Sequence, residues 1–254
     1  MAKMLKLLLP LAFSALLAGA AGAEDEVGET RAIDARVVNI RLDGQLDLKV
    51  KQGATPSLTV YAERRWLPNI LTEQSGDTLR IDTEVSGFHF FNRPKLRAEL
   101  TLPALHAAIF SGAVAGTIVG FSGDALRLAL NGAGKLDLEG QYRRVDARLS
   151  GAGKLNLNAG NSDKLEIDLS GAGSVVLVGR SKTLKASLSG AGKMDARELA
   201  AESASLDLSG AGKATLFASQ DANLRLSGAS LVTVLGKPVR RNVDTSGVSK
   251  VVWE

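Results

Sequence analysis

One five-residue phrase, Ser-Gly-Ala-Gly-Lys, recurs through the second part of the chain. Exact or altered, it begins at Ser111, Asn131, Ser150, Ser170, Ser189, Ser209, Ser227 and Ser246, at spacings of 18 to 20 residues. A unit this short cannot bury its own apolar face, so units repeated at a constant period must stack on their neighbours. The repeat therefore predicts a solenoid.

Apolar and polar residues alternate on both sides of each phrase. Around Ser150, the apolar positions are Ala147 and Leu149 before the phrase and Leu155 and Leu157 after it. A period of two predicts strands, and the glycines predict a tight corner because Gly tolerates positive φ and close backbone approach. The corner glycines are Gly132, Gly151, Gly171, Gly190, Gly210, Gly228 and Gly247. The predicted fold is all-β, a right-handed parallel β-helix of about 19–20 residues per coil.

The amino-terminal segment predicts export. In residues 1–23, Lys3 and Lys6 precede an apolar run, and small residues end the segment. This is the composition of a secretory signal peptide, and no later stretch is apolar enough to predict a transmembrane span. The chain has no cysteine, and removal of the two leader lysines lowers its net charge from +4 to +2. We therefore expect an exported protein of a bacterial periplasm or cell surface that does not bind nucleic acid.

The rest of the chain divides at residue 105. Residues 24–105 have strand-like but non-repeating segments, and we interpret them as a β-rich cap that closes the first coil. The polar residues 24–32 are expected to be disordered or loosely attached. Residues 106–254 form the β-solenoid repeats. Within the cap, strands are predicted at residues 37–42, 45–51, 58–63, 78–83 and 96–102.

Four features occur together along the chain. They are Arg65-Trp66-Leu67-Pro68-Asn69-Ile70, Leu100-Thr101-Leu102-Pro103-Ala104-Leu105, the serial Ser-Gly-Ala-Gly turns, and Leu235-Gly236-Lys237-Pro238. In this combination, over about residues 37–252, the chain resembles the bacterial head GIN domain family of autotransporter adhesins. The resemblance implies a parallel β-helix in the cell envelope with an adhesin-like role. The family offers no catalytic residues to carry over.

Five lysines share one predicted outward column just after the corner. They are Lys135, Lys154, Lys193, Lys213 and Lys250, with Ser174 and Leu231 completing the column. At about 4.8 Å between coils, their ammonium groups are candidates for binding an anionic envelope glycan, with a surface protein as the other candidate partner. Asp137 and Asp195 are close enough in the adjacent column to screen Lys135 and Lys193. A solvated sheet face is therefore the favoured interpretation, and ligand binding is the alternative.

A second outward column mixes acids with arginines. It reads Arg148, Asp168, Ser187, Asp207, Arg225 and Asp244. Asp168 and Asp207 lie two coils apart, about 9.5 Å, at the far end of the range for an inverting glycosidase. Arginines beside them favour the charged carboxylate, whereas a general acid must hold a proton. We therefore expect no enzyme, and a polysaccharide lyase or hydrolase is the alternative.

Other candidate sites are weaker. His89 and His106 are the only histidines, so we expect no metal, no cofactor and no Ser-His-Asp arrangement. The repeated serines have no recurring base beside them, and we expect their hydroxyl groups to satisfy backbone groups at the corner. The aromatic group at residues 88–91 is interpreted as cap packing. The last coil leaves an edge through which a second copy could associate.

These features together predict an exported, non-catalytic envelope protein that presents a rigid surface for binding or scaffolding.

Overall fold

The computed structural model of the protein describes residues 26–84 and 95–254. Within them, eighteen strands pair into one continuous sheet that winds as a β-solenoid, and the only helical element is a 3₁₀ turn at Leu67–Asn69. The predicted all-β parallel solenoid is confirmed. The predicted leader at residues 1–23 and the aromatic group at residues 88–91, with His89, lie outside the described residues.

The amino-terminal strands are β1 (Glu26–Arg31), β2 (Asn39–Gly44), β3 (Asp47–Gln52), β4 (Ser57–Glu63), β5 (Ile70–Ser75), β6 (Thr78–Thr83) and β7 (Arg97–Leu102). The repeat region contains β8 (Ala107–Gly112), β9 (Ala115–Gly132), β10 (Lys135–Gly151), β11 (Lys154–Gly171), β12 (Ser174–Gly190), β13 (Lys193–Gly210), β14 (Lys213–Phe217), β15 (Asp221–Gly228), β16 (Leu231–Leu235), β17 (Arg240–Gly247) and β18 (Lys250–Trp253). Strands β9 to β13 are 17 or 18 residues long, so each follows nearly a whole coil. A register shift between Glu139 and Arg144 marks a second corner of the coil.

Successive coils pair in parallel with equivalent residues side by side. Leu149 lies opposite both Leu130 and Leu169. These leucines are at most 2% exposed, and full burial of one leucine contributes about 1.5–3 kcal/mol. Stacked columns of this kind provide the shared core that a single coil cannot form.

Backbone contacts hold the glycine corners together. Gly171 has a φ of +108°, and a Cβ atom there would lie 2.5 Å from the carbonyl oxygen of Gly151. The Ala172 N–H donates to that same oxygen at 2.9 Å. All seven predicted corner glycines have positive φ. The predicted hydrogen bonds of the corner serines are wrong. Within residues 26–84 and 95–254 none of these hydroxyl groups makes a hydrogen bond, and the backbone N–H groups at the corner donate to carbonyl oxygens of the neighbouring coil instead.

Part of the amino-terminal segment belongs to the stack itself. β2 lies between β6 and β8, and β3 lies between β7 and β9, with all four pairings parallel. Gly44 aligns with Gly112 and has a positive φ, so β2 and β3 meet at a corner of the repeated kind. The coils therefore continue into residues 24–105.

Antiparallel strands cover the amino-terminal end of the stack. β5 pairs with β6, β4 pairs with β7, and β1 pairs with β4. The prediction of disorder for residues 24–32 is wrong for β1, because Val27 packs against the core and Glu26 forms an ion pair with Arg97 at 3.1 Å. The polar composition of residues 24–32 does not predict either contact.

The carboxyl-terminal end is built differently. β17 pairs with β15 and β18 pairs with β16, and no described strand of the chain covers their other edges. Arg241 is exposed and in register with the buried Ala222, and its guanidinium carbon lies 4.6 Å from the ring centroid of Trp253. A charged side chain on an edge strand opposes further strand pairing.

Candidate binding surface

The predicted lysine column is a continuous surface feature, here called the lysine file. The strand register runs Lys135, Lys154, Ser174, Lys193, Lys213, Leu231 and Lys250. Each of the five lysines is exposed. Their backbones are held by the preceding coil: the Lys154 N–H donates to the Gly134 carbonyl at 2.8 Å, and the Lys193 N–H donates to the Gly173 carbonyl at 3.0 Å. The flexible lysine side chains are therefore attached to backbone positions that are held at a regular spacing.

One of these five lysines has an acid partner. Lys135 Nζ lies 2.6 Å from a carboxylate oxygen of Asp137. Asp195 does not pair with Lys193 in the same way, because it forms its ion pair with Arg197 instead, at 2.9 Å. Within the described residues the other four lysines of the file form no ion pair.

Asp137 shows the local effect of the positive file. Partial burial raises its pKa, but hydrogen bonds from Lys135 and Asn156 act in the opposite direction, and the charges of Lys135 and Lys154 add to them. The net result is a carboxyl pKa below its ordinary value. A carboxylate placed beside this file is therefore stabilised in its charged form.

Small residues border the lysine file at the apex of the corner. The residue just after the first glycine of each phrase is exposed in the coils that carry the file. In the last coil, beside Lys250, it is Val248, and in the six coils before it the residue is alanine: Ala133, Ala152, Ala172, Ala191, Ala211 and Ala229. A methyl group extends little beyond the backbone, so over the alanine apices nothing bulky separates the lysines from an approaching ligand.

A second charged feature, here called the charge ladder, lies at the other corner of the coil. It comprises Asp124, Arg143, Asp163, Lys182 and Glu202. Arg143 lies 3.7 Å from Asp124 and 3.1 Å from Asp163, and Lys182 lies 2.7 Å from Asp163. Hydrogen bonds from Lys182 and then Arg143 hold the pKa of Asp163 below its ordinary value. The sequence signal for this ladder is its alternation of sign at the repeat period, which the irregular second corner obscures.

The predicted acid column is paired with arginine, as its composition indicates. Arg148 lies 3.5 Å from Asp168, and Arg225 lies 3.8 Å from Asp207. A shallow depression of about 210 Å³ lies over Asp207, Arg225 and Asp244. His106 lies elsewhere, and in the described part of the chain no three His, Asp or Glu side chains group closely enough to hold a metal. Asp168 and Asp207 each lie within ion-pairing distance of an arginine.

No helix in residues 26–84 or 95–254 has the length and apolar composition needed to cross a bilayer.

The protein is a β-solenoid whose surface carries two charged features. The side chains of the charge ladder form ion pairs with one another, whereas in the lysine file only Lys135 is ion-paired within the described chain. The chain belongs to the family described as "Putative auto-transporter adhesin, head GIN domain", whose model matches residues 38–175 and 127–238. The resemblance seen in the sequence is thereby confirmed. No curated protein matches the chain.

Several solved structures have the same fold. A "putative adhesin" from Parabacteroides merdae is 18% identical with a TM-score of 0.84, covering 92% of this chain and 98% of that one. A "Putative lipid binding protein" from Parabacteroides distasonis is 19% identical with a TM-score of 0.80 and the same coverage. A "putative adhesin" from Bacteroides fragilis is 18% identical with a TM-score of 0.61, covering 91% of this chain and 98% of that one. At these identities the likeness shows the fold alone.

Proposed function

We propose that the chain is an exported, non-catalytic protein of the bacterial cell envelope, adhesin-like in role, whose solenoid presents the lysine file to an anionic envelope glycan. The observation that carries this proposal is the alignment in one column of exposed lysines that form no ion pair. Lys164, Lys182 and Lys185 each lie within 3.3 Å of a carboxylate, whereas four lysines of the file are both unpaired within the described chain and in one register. Other exposed lysines of the described chain also form no ion pair but are not aligned in the column: Lys49, Lys51, Lys95 and Lys237. Positive charge left unpaired on a rigid array is available to a ligand.

Binding is tested with immobilised acidic glycans, lipopolysaccharide included. The test variant replaces Lys154, Lys193 and Lys213 by serine, the residue that the file itself has at Ser174. We expect the native protein to be retained and the variant to be lost at physiological salt. Equal retention of the two proteins would contradict the proposed surface.

Export is supported by the composition of residues 1–23 and by the family description. Fractionation of a bacterium that produces the full chain tests it. We expect the mature protein in the periplasm or at the cell surface, shortened near residue 23. Full-length protein retained in the cytoplasm would contradict this part of the proposal.

The alternative function is hydrolysis or lyase cleavage of a polysaccharide at the depression over Asp207 and Asp244. Because Arg225 lies between the two acids in register, we expect no release of oligosaccharides from a panel of acidic polysaccharides. Release that disappears in Asp207→Asn would replace the binding proposal with an enzymatic one.

A further inference from the structure

The lysine file has a regular axial spacing. Neighbouring strands lie about 4.8 Å apart, so the six steps from Lys135 to Lys250 extend over about 29 Å of solenoid axis. Lys135 faces Lys154 directly, and Lys193 faces Lys213 directly. A ligand with evenly spaced charges along a line can therefore meet several ammonium groups at once.

Like charges placed directly opposite one another on neighbouring strands destabilise a sheet. The chain avoids this arrangement at the charge ladder, where Arg143 and Lys182 are separated by Asp163. At the lysine file it retains two directly opposed lysine pairs, and only Lys135 has a carboxylate partner among the described residues. Elsewhere, as at Arg41 and Arg80, carboxylates offset directly opposed cations. No ion pair of the described chain offsets Lys193 and Lys213, which points to an anion from outside the chain.

The border of the file favours an extended ligand over a globular one. The apex beside it is a row of exposed alanines, exemplified by Ala152 and Ala191. In the adjacent column on the other side, Asn156 donates to Asp137 and Thr215 is buried, while Asp137 and Asp195 are the acids of that column. A chain of sugars lying along the axis is therefore expected to contact the lysines with its carboxylates and to lie over the alanine side of the file.

We propose that the lysine file binds a linear polyuronate, with the polysaccharide parallel to the solenoid axis and its carboxylates facing the ammonium groups. This inference rests on the proposed function and names its ligand class. A polyuronate has one carboxylate on each sugar, so its carboxylates recur at a constant interval along the chain. Those that face one side of the polymer recur at that interval or at a small multiple of it, as the lysines of the file recur at one or two strand spacings of about 4.8 Å.

Chain length is the quantity that tests this geometry. An exposed ion pair contributes little by itself, so binding depends on several pairs forming on one chain, and each added sugar that reaches a further lysine of the file raises affinity. Affinity should rise with oligomer length up to about seven sugars, the number of positions in the file, and change little beyond it. Salt should weaken the complex because the charges are exposed.

The experiment measures binding of oligogalacturonates of increasing length by calorimetry. Three proteins are compared: native, the file variant Lys154→Ser/Lys193→Ser/Lys213→Ser, and the control variant Lys164→Ser/Lys182→Ser/Lys185→Ser, which removes the same number of lysines from paired positions. Circular dichroism first establishes that both variants are folded. We expect a loss of about tenfold or more for the file variant and less than about twofold for the control. Fully methyl-esterified oligomers should not bind.

Three results would overturn the inference. They are equal losses in both variants, affinity that does not depend on length beyond two sugars, and binding of the methyl ester as tight as that of the acid. If another anionic glycan binds through the file while oligogalacturonates do not, the polyuronate assignment fails and the proposed function stands. If no anionic glycan binds through the file, both fail.

Discussion

The lysine file and the charge ladder show two uses of the same repeating scaffold. Both are exposed, and both place side chains at the strand spacing of about 4.8 Å. The ladder alternates in sign, so Asp163 forms ion pairs with both Arg143 and Lys182. The file repeats one sign, and only Lys135 is paired in the described chain. Register alone therefore does not determine how a surface column behaves: alternating charges pair with one another, whereas like charges in one column cannot.

The largest effect should come from breaking the core that both surfaces share. Leu169 is 2% exposed and stacks on Leu149. Leu169→Asp buries an unpaired charge and removes apolar packing, which should lower the free energy of unfolding by about 3–5 kcal/mol. Thermal unfolding followed by circular dichroism measures this. Ser170→Asp, at the exposed next residue, is the control and should leave the midpoint nearly unchanged; an unaltered midpoint for Leu169→Asp would contradict the assigned core column.

A second, smaller effect should come from the corner beside the lysine file. Gly171 has a φ of +108°, and its added Cβ would meet the Gly151 carbonyl oxygen at 2.5 Å. Gly171→Ala should therefore destabilise the protein by about 1–3 kcal/mol through backbone strain and shift the file more than the ladder. Chemical denaturation gives the free energy, with Ala172→Ser as the control at the exposed apex. Equal stability of Gly171→Ala and the native protein would show that the corner can open without cost.

The sequence predicts the repeated half of the fold well because two signals coincide there. Alternation of apolar residues identifies the strands, and the recurring glycine phrase sets their register, so the repeat period by itself aligns Leu149 with Leu169, as the strand pairing has them. The amino-terminal segment lacks the phrase. Gly44 forms the same kind of corner between β2 and β3, but a single glycine without neighbours at constant spacing gives no comparable signal.

The sequence predicts where the residues of the lysine file lie, but not which ion pairs the neighbouring acids form. The repeat period places Lys193 in the file, and it also places Asp195 nearby. Which cation Asp195 binds depends on side-chain conformation, and Arg197 on the same strand is the partner in the structure. The strand register decides which residues share a column. Which ion pairs they form depends on side-chain conformation, and the spacing of residues in the sequence does not determine that.

Reversing one charge on each surface should have opposite effects. Lys213 faces Lys193, so Lys213→Glu replaces a repulsion with an attraction and should stabilise the fold by about 0.2–1 kcal/mol. Lys182 binds Asp163 at 2.7 Å, so Lys182→Glu places two like charges together and should lower the melting temperature. Both variants change the net charge equally, which makes each the control of the other in scanning calorimetry. Shifts in the same direction would mean that total charge, rather than pairing, decides stability.

The smallest expected effect is the acid response of the charge ladder. Hydrogen bonds from Lys182 and Arg143 lower the pKa of Asp163 from its ordinary value of 3.8, so between the two pKa values the unfolded chain binds more protons than the folded one. The stabilisation contributed by Asp163 is present above pH 3.8 and is lost as the pH falls through the lower, folded pKa.

Melting temperatures measured from neutral pH downward should therefore fall more steeply in acid for the native protein than for Asp163→Asn, which has no carboxyl group to titrate at that position. The variant Lys193→Ser/Lys213→Ser retains the ladder as well as Lys135 and Lys154 beside Asp137, so it should follow the native curve in this window. If Asp163→Asn and the native protein gave parallel curves while this variant diverged, the coupling between carboxylates and stability would lie at the file. The division of the surface into a self-satisfied ladder and an outward-acting file would then have to be reversed.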